Sequence, residues 1–342
     1  MELVGRFPEE IKVFLQEHQI ASFRGDQVFS WLHKHAVERF DAMTNVPRNV
    51  ILLLKETFRA PWPLELLTMR QSVDGTEKYL FALGDQSTIE AVRIPEEERQ
   101  TICLSTQVGC AMSCSFCATG QSGYVRNLSA AEIVAQVLWL EHHLRATGQS
   151  ITNIVYMGMG EPLANYEAVM RSARLFNHAE GLNLGARRLT ISTCGLVPQI
   201  KALAGEDLQV NLAVSLHAVT DSARSEIMPV NRRFPLQELL EACDYYTEQT
   251  GRRISYEYAL ISGFNDRPEQ AQKLLELLKG RLCHVNLIPL NPVGTEQRPS
   301  MKVVGEFAQI LEKGRIPVSI RKERGTDIEA ACGQLRQTHL QE

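Results

Sequence analysis

The sequence predicts an α/β protein: a partial parallel barrel of six βα units, (βα)6, preceded by a small N-terminal helical accessory domain. Three observations predict it. From residue 101 onward, short runs rich in Val, Ile and Leu alternate with segments of helical periodicity. Before residue 60 the apolar spacing is helical only. The βα units recur at roughly 25 to 50 residues, a spacing that suits right-handed parallel crossovers.

The elements follow in order. PEEIKVFLQEH, RGDQVFSWLHKH and VPRNVILLLKETF each place apolar residues on one helical face, and the stretch Pro61-Trp62-Pro63 then breaks the pattern. Three short helices are too few for a large core, so residues 1–60 read as an accessory domain. EKYLFALG and TIEAVRIP, around the turn at Gly84-Asp85, read as two strands of a hairpin extension over 61–95. The barrel spans 96–322, and a C-terminal tail covers 323–342. In the first unit, TICLST (101–106) leads into a cysteine-rich loop and a helix opened by Ser129 with Glu132 as a capping box. NIVYMG, RLTIST, VNLAVSLHA, ISYEYALI and HVNLIPL begin the other five, each followed by a helical segment. PVSIRK adds a short final strand. Six units rather than eight leave the barrel open on one side. Sites are expected at the C-terminal ends of the strands.

The 342 residues carry a formal net charge of -4 and a pI near 6.2. This balance does not advertise a nucleic-acid partner, nor does it exclude a local basic surface. Basic groups recur at Arg187-Arg188, Arg232-Arg233, Arg252-Arg253 and Arg321-Lys322 with Arg324, and by themselves they read as solvated charge. No apolar run approaches the roughly 20 residues that span a bilayer. The opening MELVGRFPEEIKVF has no secretory apolar core, so the expected location is the cytoplasm, with no membrane partner.

Eight cysteines in such a chain are not expected to form a disulfide framework. Cys110, Cys114 and Cys117 stand out by their C-x3-C-x2-C spacing in the loop after the first barrel strand. A [4Fe–4S] cluster ordinarily takes four thiolates. Three from one loop leave one iron open to a substrate or cofactor. A structural zinc site would need a fourth ligand, and no histidine follows closely. Other polar residues share the strand ends: Gly160 and Glu161 after the second strand, Ser192 at the third, Ser215, Leu216 and His217 at the fourth, and Asn291 at the sixth. Cys194, Cys243 and Cys283 read as core thiols. Cys332 stands among small residues before Gly333, where a tail thiol can approach a ligand closely.

These segments together resemble one family. Cys103, QVGCAMSCSFCATG, MGMGEPLAN, GARRLTIST, AVSLHA, MPVNRR, HVNLIPLNP and GTDIEAACGQL look like the radical S-adenosylmethionine (SAM) RNA adenine methyltransferases of RlmN/Cfr type. The likeness runs from about residue 20 to 336. HVNLIPLNP and FRGDQVFSWLH favour the carbon-2 branch over the carbon-8 branch. Cys194 departs from the small residue usual at its position.

The resemblance implies a radical SAM barrel holding a [4Fe–4S] cluster on Cys110, Cys114 and Cys117. It implies SAM, two molecules per turnover, bound by Gly160, Glu161, Ser192, Ser215, Leu216, His217 and Asn291. Cys332 becomes the methyl carrier, with a transient Cys103–Cys332 disulfide. Glu90 or Cys103 takes the proton from the ring. The implied partners are 23S rRNA, tRNA and an electron donor such as flavodoxin, with the chain a monomer. Arg24, Lys34 and Lys55 of the accessory domain are candidate RNA contacts that one sequence does not rank. A non-enzymatic metal protein that binds RNA is the reading from another class, and it has no use for Cys332.

Overall fold

The computed structural model describes residues 2–58, 60–291, 293 and 297–335. Pro292 of the HVNLIPLNP segment and residues 336–342 of the predicted tail lie outside the described residues. The N-terminal helices are α1 (Pro8–Glu17), α2 (Arg24–His33) and α3 (Arg48–Phe58). Gly25 lets α2 cross close over α1: a Cβ there would stand 2.8 Å from the Lys12 backbone nitrogen. Ile11, Phe29 and Leu54 from these helices join the same apolar cluster as Val134 and Phe176 of the barrel helices. The burial that three short helices lack is therefore supplied by the barrel flank.

His33 of α2 is fully enclosed and stacks on Phe29 at 4.2 Å. Burial, with nearby His178 adding to it, pushes its pKa down to about 3. The folded value lies below the unfolded one near 6.5, so the unfolded chain takes up the proton first. His33 thus contributes stability that is present above pH 6.5 and lost as pH falls toward 3. Urea titrations at stepped pH should show this decline, with a shallower slope in His33→Asn.

Three strands follow: β1 (Leu64–Gln71), β2 (Glu77–Leu83) and β3 (Thr88–Glu96). The sequence predicted only the last two. β1 is an edge strand with Leu67 and Met69 turned to solvent, so its apolar residues do not sit on one face and hide the strand period. The first barrel strand, β4 (Arg99–Cys103), ends sooner than TICLST suggested. Residues 104–106 leave the ladder and lead into a small ribbon of β5 (Gln107–Gly109) and β6 (Tyr124–Asn127), with the short α4 (Ala118–Gln121) between them.

Six crossovers complete the barrel. They run through α5 (Ala130–Arg145) to β7 (Asn153–Tyr156), α6 (Tyr166–Asn177) to β8 (Leu189–Thr193), and α7 (Val197–Ala204) to β9 (Asn211–Ser215). α8 (Asp221–Ile227) and α9 (Leu236–Thr250) then lead to β10 (Ile254–Leu260), α10 (Pro268–Leu278) to β11 (Cys283–Pro289), and α11 (Met301–Lys313) to β12 (Val318–Ile320). The predicted capping box opens α5: Ser129 Oγ accepts from the Glu132 amide at 3.1 Å, and Glu132 accepts from the Ser129 amide at 2.8 Å.

One sheet contains ten of the strands, in the order β1-β2-β3-β4-β7-β8-β9-β10-β11-β12. Pairing is antiparallel through β4 and parallel from β4 to β12. β12 pairs only with β11 among the described residues, so the barrel stays open, as six units require. A cavity of about 460 Å³ runs along that opening, with Ile94, Thr101 and Cys103 on one side and Asn286, Ser319 and Ile320 on the other.

Candidate active site

The cysteine loop is held by backbone bonds. The Cys110 amide donates to the Gly123 carbonyl at 2.7 Å, and the Ser115 amide to Ile227 at 3.0 Å. The Ala118 amide donates to the Gly333 carbonyl at 2.7 Å, which lays the C-terminal tail against the loop. Cys110, Cys114 and Cys117 all line a second cavity, of about 150 Å³. Burial pushes the Cys110 thiol up to about 12 and raises those of Cys114 and Cys117 as well. Three neighbouring thiols, two buried and one half-buried, fit a group that brings its own positive charge and makes them thiolates. Among the described residues, no three Cys, His, Asp or Glu side chains converge on a single ion. An iron–sulfur cubane does not require that, because its thiolates bind three different irons.

The predicted strand-end residues meet in the same cavity. Gly160, Glu161, Ser192, Ser215, His217 and Asn291 all line it. Leu216 does not: its side chain is fully buried in the core, and its carbonyl accepts from Arg224 Nε at 3.1 Å. Gly160 adopts φ +103°, and a Cβ there would stand 2.6 Å from that of Gln107, so the loop admits only glycine. The Glu161 carboxylate accepts from the amides of Leu163 at 3.0 Å and Cys194 at 2.8 Å. Burial nevertheless raises its pKa.

His217 is fixed in one tautomer. Its Nδ1 accepts from the Ala259 amide at 2.9 Å, so the ring hydrogen sits on Nε2. Burial first, and Arg224 second, lower its pKa to about 3, so the ring is a neutral hydrogen-bond donor at working pH.

Cys332 lines both cavities, as do Asn291, Met157 and Arg321. It is exposed, whereas Cys103 is buried on the larger cavity's wall. Burial, then the nearby Cys332, pushes Cys103 up to about 12. Two thiols separated by 229 positions in the chain therefore share one cavity. Glu90 lines neither cavity. It is buried in β3, with Oε1 3.1 Å from the Lys78 ammonium.

Several site residues carried no sequence signal. Arg321 was read as solvated charge, yet it stands among Cys332, Glu257 and Cys103, which hold its pKa above the usual value against the effect of burial. Arg224 is fully buried and donates to the Cys194, Ser215 and Leu216 carbonyls. Cys194, predicted as a core thiol, lines the cluster-side cavity against Glu161. Cys243 and Cys283 are core thiols as predicted. In the accessory region, Lys55 is paired with Asp41 at 2.6 Å, and Arg24 bonds Gln27 at 2.7 Å.

Comparison with known proteins matches this geometry. Residues 104–278 match the radical SAM superfamily. Residues 1–59 match the N-terminal domain of a ribosomal RNA large subunit methyltransferase. A Heliobacterium modesticaldum protein named "Probable dual-specificity RNA methyltransferase RlmN" is 49% identical over 98% of this chain and 89% of its own length. A protein of the same name from Alkaliphilus oremlandii is 46% identical over 100% of this chain and 99% of its own. The chain belongs to the RlmN family of radical SAM methyltransferases. Its cofactors are accordingly a [4Fe–4S] cluster and SAM. The crystal structure of a radical SAM methyltransferase from Sphaerobacter thermophilus, 47% identical, superposes with a TM-score of 0.96 over 99% of this chain and 100% of that one. The RlmN N-terminal match coincides with α1 to α3. No helix among the described residues is long and apolar enough to cross a membrane.

Proposed function

We propose that this chain methylates carbon 2 of an adenosine in the peptidyl transferase centre of 23S rRNA, and adenosine 37 of tRNA, by way of a methylated Cys332. Its curated relatives are RNA methyltransferases by name and span it end to end; at that coarser level it is a SAM-dependent RNA methyltransferase. The observation that carries the finer reading is the place of Cys332, on a wall common to the cluster-side cavity and the cavity of Cys103.

Carbon 2 of adenine lies between two ring nitrogens and is too electron-poor to attack the SAM methyl group. A carbon radical must reach it instead, and the protein's task is placement. Cys110, Cys114 and Cys117 would hold the cluster, and the strand-end residues would hold SAM. When bound, the cluster would supply one-electron reduction of SAM, the chemistry that makes a hydrogen-abstracting carbon radical available at the site.

The chain's own groups do the rest. The Cys332 thiolate first takes a methyl group by displacement from one SAM, and Arg321 beside it suits that anion. The methylated Cys332 then offers the carbon from which hydrogen is drawn, and the resulting methylene adds to carbon 2. Glu90 or Cys103 accepts the ring proton, and the odd electron of the adduct passes to a one-electron acceptor, a role the cluster would suit when bound. The Cys103 thiolate attacks the Cys332 sulfur, the carbon–sulfur bond breaks, the freed carbon takes up a proton to complete the methyl group, and the methylated base leaves. An external reductant opens the disulfide, and a donor such as flavodoxin supplies the cluster's electron. The chain acts as a monomer.

Anaerobic reconstitution with iron, sulfide, SAM and reductant, followed by mass spectrometry of nucleosides from rRNA and tRNA, tests the reading. 2-Methyladenosine in both is the expected result. 8-Methyladenosine would move the chain to the carbon-8 branch. No methylated adenine from a competent cluster would sink both.

A further inference from the structure

The C-terminal loop that carries Cys332 is gripped by the hairpin of β1 and β2. Ser72 Oγ donates to Asp327 Oδ1 at 2.5 Å, and the Val73 amide to Asp327 Oδ2 at 3.2 Å. Asp74 Oδ2 accepts from the Gly325 amide at 2.9 Å. A further contact from this hairpin is different in kind. Lys78 Nζ donates to the Glu329 carbonyl at 3.2 Å, three residues before Cys332, and stands 3.1 Å from Glu90 Oε1. Both side chains of that pair are nearly sealed from water, at 7% and 2% exposure.

Strand register puts these groups on one face. Val92 of β3 pairs with Lys78 on one side and with Cys103 on the other, and Glu90 lies two positions along the same strand. One ammonium thus connects the β3 carboxylate nearest Cys103 in register to the backbone of the carrier loop.

We propose that Lys78 is a positioning residue that couples proton uptake at Glu90 to movement of the loop bearing Cys332. The proposal rests on the reading of Cys332 as methyl carrier and Glu90 as proton acceptor. While Glu90 is a carboxylate, its charge anchors Lys78, and Lys78 anchors Glu329. When Glu90 takes the ring proton it becomes a neutral acid. A buried ion pair is then reduced to a hydrogen bond between an ammonium and a neutral carboxyl group. The hold on Glu329 weakens at the step after which Cys332 must turn from the base toward Cys103. The turn contacts through Asp327 and Gly325 involve no group that changes charge, so they keep the base of the loop in place. Glu329 and Gly333 both have left-handed backbone, φ +54° and +85°, and bracket the segment that moves.

Amide hydrogen exchange on the cluster-loaded full chain, read over residues 325–333, tests the coupling without requiring turnover. Glu90→Gln mimics the protonated acid at nearly constant shape. It should speed exchange there by roughly tenfold or more, the scale of one lost ion-pair anchor. It should also speed formation of the Cys103–Cys332 disulfide by glutathione disulfide, which takes up the two thiol electrons and leaves as two glutathione thiols. Lys78→Met should do the same, the double variant no more than either alone, and Lys78→Arg should return exchange toward the native rate. Asp327→Asn, which loosens the loop by another contact, should add to Glu90→Gln. Unchanged exchange in Glu90→Gln, or additive effects of Glu90→Gln and Lys78→Met, would overturn the proposal. Loss of methyl transfer through Cys332 would instead remove the reading beneath it and leave the exchange result standing.

Discussion

Replacing Cys332 by alanine should abolish RNA methylation while leaving the cluster in place. The side chain is exposed, and the bonds that hold residues 332 and 333 are accepted by their backbone carbonyls. The Gly333 carbonyl accepts from Ala118, and the Cys332 carbonyl accepts from Asn291 at 3.3 Å. Alanine keeps both bonds, so the expected change in stability is within about 0.5 kcal/mol. Only the thiol is lost, and with it the proposed methyl carrier. Iron content and the visible spectrum of the reconstituted variant should match the native chain, with no 2-methyladenosine in the RNA. A binding protein without this chemistry would be indifferent to the change.

The second large effect is structural and should fall on the same site. Arg224 is enclosed completely and ties the ends of β8 and β9 together. It donates to the carbonyls of Cys194 at 2.6 Å, Ser215 at 3.0 Å and Leu216 at 3.1 Å, and to Asn231 Oδ1 at 3.0 Å. Arg224→Leu would strip those acceptors of the guanidinium, although the Leu216 carbonyl keeps the Ala218 amide at 2.8 Å, at a cost of about 3–5 kcal/mol in all, from buried acceptors at about 1–3 kcal/mol each. Arg224→Lys should not rescue it, because a single ammonium cannot reach the four acceptors that the guanidinium fork serves. Urea midpoints should fall for both variants. SAM affinity should fall as well, because Ser192, Ser215 and His217 stand on or just beyond the strand ends that Arg224 fixes.

The local signals in the sequence were the ones it could express. Six βα units show in the alternation of apolar runs with helical spacing, and the α5 capping box shows in Ser129 and Glu132. The cysteine loop is legible because its three cysteines lie within eight residues. What stayed hidden depends on contacts between distant segments. Asp327 meets Ser72 across a separation of 255 positions, and Lys78 meets Glu329 across 251. No periodicity records such pairs, and Lys78 reads as an ordinary polar position on a strand. Arg321 read as surface charge because a basic pair near the C-terminus has no local feature that marks enclosure. Leu216 stands in a polar strand-end motif, but strand alternation turns its side chain into the core. β1 was missed because an edge strand need not keep its apolar residues on one face.

The proposed passage of the methyl group to RNA through a carbon radical on Cys332 leaves an isotopic signature, read with SAM deuterated in its methyl group by mass spectrometry of the 2-methyladenosine formed. A methyl group held on Cys332 must give up one hydrogen before it joins the base, so the product should retain two deuterons, and the third should appear in 5′-deoxyadenosine. Transfer of the intact trideuterated methyl group, with no label in 5′-deoxyadenosine, would contradict the account.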